Sequence, residues 1–212
     1  MYTLYTFATP NSIKPVIALE ELGVPYAIQG VNVRKGEQKN SAFVAINPNA
    51  KLPVLTVSGQ DGAAAMTLTE SGAILVYLAE QHGALLPAAG EARARAFEQL
   101  FFHASGIGPA FGQSGYFQKS APEVLPSVIA RFHGEAQRTL AILDAVLAKN
   151  TYVAGEEYSI ADIAHFGWMW RRAFANIDFS ASPNVARWYD LVLQRPAVQR
   201  AIAKVDALIP AA

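Results

Sequence analysis

Residues 2–19 read Tyr2-Thr3-Leu4-Tyr5-Thr6-Phe7-Ala8-Thr9-Pro10-Asn11-Ser12-Ile13-Lys14-Pro15-Val16-Ile17-Ala18-Leu19. Tyr2–Phe7 suits a short strand. Thr9–Ser12 is a polar turn. From about Ser12 to Leu22 the apolar residues Ile13, Val16, Ile17 and Leu19 follow a helical spacing, and Gly23 supplies the stop. The stretch is therefore a strand, a turn carrying hydroxyl and amide side chains, and a helix. A helix N-terminus has free N–H groups and a partial positive charge, so this turn suits an anion. A ligand's thiolate is one such anion.

Working outward, Tyr26–Val33 reads as a second strand and Lys35-Gly36-Glu37-Gln38 as a polar loop or short helix start. Asn47–Lys51 is a turn cluster, Val54–Val57 a third strand, Ser58–Gly62 a hairpin turn and Ala64–Leu68 a fourth strand. A helix follows over about Glu70–Gln81. The order is βαβ, a loop, then ββα. Beyond Gly83 the pattern is helical throughout. One helix runs from about Glu91, with Gly106, Gly108, Pro109 and Gly112 set to kink or interrupt it. Others span about Pro122–Lys149 and Ile160–Phe174, and two shorter ones surround Trp188 and Val198. The expected division is an α/β domain over 1–82, a linker over 83–90 and an all-helical domain over 91–212. Ser159-Ile160-Ala161-Asp162 is a capping box, a structural device for starting a helix.

The chain has 212 residues, 52% of them hydrophobic, with no net charge. Without a basic stripe, nucleic acid is not an expected partner. No apolar run reaches the roughly 18 residues of a membrane span. Met1–Leu4 has no charged, apolar leader pattern, so a cytoplasmic protein is expected. There is no cysteine, hence no disulfide and no thiol nucleophile of the chain's own. His82, His103, His133 and His165 lie too far apart for zinc-type spacing, and no metal is expected.

Four segments of the first domain carry polar residues that a plain core does not require. Thr9–Lys14 is either a helix cap or a thiolate site. In Lys51-Leu52-Pro53-Val54, Pro53 is either an ordinary trans edge residue or cis, and a cis bond would turn the Leu52 backbone outward toward an extended peptide. Glu70 and Ser71 open a helix, where they either cap it or hold a carboxylate and an amino group. Gln38 and Lys51 can meet a second carboxylate. Together the four offer places for an amino acid-like end, a peptide backbone, a thiolate and a terminal carboxylate. That is the outline of γ-glutamyl-cysteinyl-glycine.

Along essentially its whole length the chain resembles the glutathione transferases. The resemblance rests on Thr9–Lys14, Ile17–Tyr26, Asn47–Leu55, Thr69–Glu80 and the Ser159–Asp162 box. The Thr-Pro-Asn-Ser form, with Lys35–Gln38 downstream, is most similar to the bacterial nu class, a group known for glutathione-dependent disulfide and peroxide reduction. The resemblance implies a thioredoxin-like domain with a cis Pro53, a helical second domain, a homodimer, and glutathione as co-substrate. It implies Thr9 and Asn11 at the thiol, and Gln38 and Lys51 near the glycyl end. The Leu52 backbone would pair with the tripeptide, Glu70 and Ser71 would hold the γ-glutamyl end, and Arg131 would reach glutathione from the helical domain. The second substrate would be a hydrophobic electrophile, a disulfide or a peroxide. The alternative within this fold is a binding or assembly module without turnover.

A free alkyl thiol has a pKa of about 8.5, and the thiolate is the nucleophile. Thr9 can donate an O–H and Asn11 an N–H, so both are assigned to stabilising the anion. Tyr5 is the rival for that role, though its place inside the first strand favours packing. Phe111, Tyr116 and Phe117 follow the glycine-rich interruption and are candidates for the second-substrate pocket, with core packing as the other reading. Phe166, Trp168, Trp170 and Phe174 read as core.

Overall fold

A computed structural model describes residues 1–59 and 66–210. It divides into two units, Met1–Ala84 together with the segment from Gln194 onward, and Leu85–Leu193.

The first unit is built on a four-stranded mixed sheet in the order β2-β1-β3-β4. β1 (Tyr2–Thr6) pairs in parallel with β2 (Tyr26–Gly30) and antiparallel with β3 (Val54–Val57), which pairs antiparallel with β4 (Met66–Thr69). The parallel pair needs a crossover, which α1 (Ile13–Leu22) provides. β2 stops three residues short of the expected Val33. There the Asn32 side chain accepts the N–H groups of Arg34 and Lys35 and starts a 3-10 turn over Val33–Lys35. The parts of the expected hairpin and fourth strand at residues 60–65 lie outside the described residues. A short α2 (Ser41–Ile46) precedes β3, and α3 (Ser71–His82) follows β4. This is a thioredoxin-like arrangement.

The unit closes with α9 (Pro196–Asp206), a helix that the sequence reading groups with the helical domain. α9 packs on α1. Arg195 pairs with Glu21 at 2.6 Å, and Arg200 and Lys204 pair with Glu20. Gly30 lets the Leu208 side chain approach, since a Cβ there would lie 3.1 Å from Leu208 Cδ2. α1 is consequently buried on almost every side, from Ile13 through Leu19 without a break.

The second unit is helical. α4 (Gly90–Phe102), a π-helical turn at His103–Ile107 and α5 (Gly108–Lys119) run on without a break. The glycines and Pro109 thus produce a π turn. Pro109 has no N–H to donate to the preceding turn, and it falls directly after the wider π turn. α6 (Pro126–Leu147) starts at Pro126, four residues later than the sequence suggests. α7 (Ile160–Trp170) ends before a 3-10 turn at Arg172–Ala175, and α8 (Pro183–Leu193) follows. Phe166 and Trp168 are core residues as expected, whereas Phe174 is 37% exposed. No helix among the described residues is long and apolar enough to cross a membrane.

Candidate active site

Strand polarity assembles the site. Tyr5 pairs with Val54, Val54 with Thr69, and Thr6 with Gly30. β1, β2 and β4 therefore end, and β3 begins, at one end of the sheet. The turn Thr9–Ser12, the 3-10 turn Glu37–Lys39 that carries Gln38, the segment Lys51–Pro53 and the pair Glu70–Ser71 all leave the sheet there. Residues far apart in sequence share one rim for this reason alone.

At the Thr9–Ser12 turn the backbone is held closely. Thr9 N–H donates to Phe7 O at 2.7 Å, and Ile13 N–H donates to Thr9 O at 3.2 Å. Thr9 Oγ1 accepts the Ser12 N–H at 3.2 Å and donates to Ser12 Oγ at 2.8 Å. Ser12 is buried and makes no side-chain cap on α1. The two hydroxyls form a pair in which either can donate. When Ser12 donates, the Thr9 proton is released for a ligand. Asn11 is exposed, and its Oδ1 accepts from Lys14 Nζ at 2.8 Å. Lys14 is itself 2% exposed, and its Nζ also lies 3.5 Å from Ser71 Oγ. Burial lowers the Lys14 ammonium to about 7, against the opposing pull of the Glu70 charge.

At the other end of the rim, Glu70 has φ of 66°, a left-handed value that side chains rarely adopt. Its carbonyl accepts the Ile74 N–H at 3.0 Å, yet its side chain does not cap α3. The first N–H groups of α3 are thus without a side-chain cap, and an outside carboxylate can take them. The Leu52–Pro53 peptide is cis. Asn47 fixes the preceding turn by donating from Nδ2 to Lys51 O at 2.8 Å and accepting the Asn49 N–H at 3.1 Å. The Lys51 side chain is exposed. Gln38 Oε1 is buried with no hydrogen-bond partner among the described residues.

Tyr5 packs edge-on against Phe43 with ring centroids 6.1 Å apart, beside Val31, Val54, Ile46 and Leu52. It behaves as the packed strand residue that its position suggests. The remaining candidates belong to the second unit. Phe111 is fully buried against Trp168, so its placement in a substrate pocket is corrected: it has no surface to offer. Tyr116 is 44% exposed, and Phe117 stacks on Phe132 at 5.4 Å. Arg131 lies exposed on α6. A groove of about 860 Å³ between α4 and α6 is lined by Glu91, Arg95, Glu98, Ile142 and Lys149, and none of the sequence candidates borders it.

The family description "Glutathione S-transferase, N-terminal domain" matches residues 1–80, and "Glutathione S-transferase, C-terminal domain" matches residues 110–196. The chain belongs to the glutathione transferase family. It is 38% identical over 209 residues to the disulfide-bond oxidoreductase YfcG of Escherichia coli, covering 97% of this chain and 96% of that protein. A Pseudomonas fluorescens glutathione transferase family member, solved with two glutathione bound, superposes with a TM-score of 0.87 at 36% identity, covering 95% of this chain and 92% of the other. A Pseudomonas putida glutathione transferase, solved with one glutathione disulfide per subunit, also gives a TM-score of 0.87 at 36% identity, covering 95% and 90%.

In this glutathione transferase the sequence reading missed two residues of the rim. Ser12 has no role of its own in that reading, although its hydroxyl partners Thr9. Lys14 had no role, although its amine ties Asn11 to Ser71. A lysine in the first helical turn, against the helix dipole, was the available signal.

Proposed function

We propose that this glutathione transferase binds glutathione along the rim and uses its thiolate to reduce disulfides. One observation carries the reading: a thioredoxin-like unit with a polar, anion-suited turn belongs to a chain without a single cysteine. The electrons must then come from borrowed thiols. The relatives support the choice, since one is a disulfide-bond oxidoreductase and others were solved with two glutathiones or with glutathione disulfide.

In the proposed reaction, one glutathione thiolate attacks a sulfur of the substrate disulfide. A mixed disulfide forms and the other substrate sulfur leaves as a thiol. A second glutathione thiolate then attacks the glutathione sulfur of that mixed disulfide, releasing the second substrate thiol and glutathione disulfide. Thr9 and Asn11 donate hydrogen bonds to the first thiolate and lower its pKa. The uncapped α3 start, with Ser71 and Glu70, holds the γ-glutamyl end. The Leu52 backbone beside Pro53 pairs with the cysteinyl residue, and Gln38 and Lys51 meet the glycyl carboxylate. By the family resemblance, Arg131 is assigned to glutathione; Tyr116 and Phe117 are assigned to the second substrate. The same thiolate serves peroxides and electrophiles, so those activities, the nu class, a homodimer and a cytoplasmic location belong to the same proposal.

The test is a calorimetric count of glutathiones per subunit beside turnover of a small disulfide, a peroxide and an aryl halide. Binding with rapid disulfide turnover is expected. Binding without turnover of any of the three would leave a binding module instead.

A further inference from the structure

We propose that Lys14 is a positioning residue for thiol activation: its Nζ–H bond to Asn11 Oδ1 turns the amide carbonyl inward and so presents Asn11 Nδ2–H₂ to the sulfur of bound glutathione. The inference rests on the function proposed above.

An asparagine amide can face a ligand with either its oxygen or its nitrogen. A thiolate needs the nitrogen, because the oxygen would repel it. Asn11 Oδ1 only accepts, and an amine donates in either protonation state, so the 2.8 Å bond from Lys14 Nζ fixes which end faces inward. Among the described residues nothing takes the Asn11 Nδ2 group, and Asn11 is exposed. The donor the thiolate requires therefore points away from the protein.

Lys14 holds this post against its own stability. It stands in the first turn of α1, where the helix dipole disfavours a cation. It is 2% exposed, between Ile13 and Pro15, which are buried too. The Glu70 charge attracts it, and burial outweighs that attraction. An apolar side chain would fill the same volume without the desolvation cost. What an apolar side chain cannot supply is the donor that sets the Asn11 amide. The same nitrogen reaches Ser71 Oγ at 3.5 Å, across 57 residues of chain, so the thiol turn and the α3 start are held in one frame.

The test compares wild type, Lys14→Met, Asn11→Ala and the double variant. The readouts are the bound thiol's pKa, from thiolate absorbance, and the Kd of S-methylglutathione, which has no thiol to titrate. Lys14→Met should raise the bound thiol's pKa by about one unit, a tenfold loss of thiolate at neutral pH. S-methylglutathione should bind within about threefold of wild type. Added to Asn11→Ala, Lys14→Met should shift the thiol no further, because the lysine acts through that amide. In wild type itself, the Asn11 side-chain amide proton resonances should move on adding glutathione and move much less with S-methylglutathione. This last reading does not depend on any variant folding.

An unchanged thiol pKa in Lys14→Met, a full additional shift in the double variant, or silent Asn11 resonances would each overturn the positioning role. So would loss of S-methylglutathione binding in Lys14→Met, which would make the lysine a plain structural tie. If wild type fails to bind glutathione at all, the proposed function falls and this inference falls with it.

Discussion

The starts of α1 and α7 solve the same physical problem in opposite ways. At α7, Ser159 Oγ accepts the Ala161 N–H at 3.2 Å, and Asp162 Oδ2 accepts the Ser159 N–H at 2.9 Å. The other oxygen, Asp162 Oδ1, accepts the Val153 N–H at 3.0 Å and the Trp188 Nε1–H at 2.9 Å. Every donor is used, and Asp162 is fully buried. Burial pushes its carboxyl up to about 6 even though these bonds pull it down. At α1, Ser12 gives no side-chain cap, Asn11 turns a donor to solvent, and a buried lysine sits where the dipole disfavours it. A helix start that closes on itself contributes stability and has nothing left to bind with. A start that stays open gives up some stability and retains donors for another molecule.

The sharpest way to break the contrast is at the closed end. Asp162→Ala leaves the Val153, Ser159 and Trp188 donors buried without an acceptor. A loss of about 3–5 kcal/mol is expected, read as a lower urea midpoint, with the bound thiol's pKa unchanged in the protein that remains folded. At the open end the pattern should invert. Asn11→Ala should lower the melting temperature far less than Asp162→Ala, since it takes one acceptor from Lys14 where the other takes the acceptor of three buried donors. Its kcat/KM for disulfide reduction should fall about 10- to 100-fold as a thiolate donor is lost.

Ser71→Ala sharpens the comparison at α3. It should raise the KM for glutathione about fivefold, the worth of one hydrogen bond of about 1 kcal/mol, with kcat nearly kept. A fall in kcat alone would move Ser71 from binding to chemistry.

The smallest effect is expected at Glu20. Burial raises its carboxyl, but hydrogen bonds from Lys204, Tyr26 and Arg200 bring it down to about 2, from an ordinary 4.5. A depressed carboxyl stabilises the fold above its unfolded pKa. That contribution is lost as pH falls from about 4.5 through 2. An acid titration by circular dichroism should therefore show Glu20→Gln less sensitive than wild type across that window.

The closed start could be read from sequence, and half of the open one could not. Ser159 and Asp162 act within three residues of each other, so local spacing reveals them. The strand, turn and helix of residues 2–22 were equally legible, and so was the rim that Thr9, Asn11, Glu70 and Ser71 share once the strand order is known. Lys14 was hidden because its burial comes from elements distant in sequence. The spacing of Ile13, Val16 and Ile17 leaves position 14 toward water, whereas α3 packs on α1 and its Ser71 lies 3.5 Å from Lys14 Nζ. Phe111 was misplaced for a similar reason: aromatic residues of pocket and core look alike until Trp168 is seen against it. The shortened β2 followed from a cap by Asn32 that strand propensity does not register.

The return of α9 to the first unit has a consequence for biosynthesis. The sheet, the Thr9–Ser12 turn and both carboxylates that anchor α9, Glu20 and Glu21, leave the ribosome well before Arg195, Arg200 and Lys204. A nascent chain halted after Leu193 carries every residue of the rim, yet α1 lacks the helix that seals it from water. The first unit thus cannot be completed until α9 has been made, whereas the helical unit, Leu85–Leu193, is already whole by then.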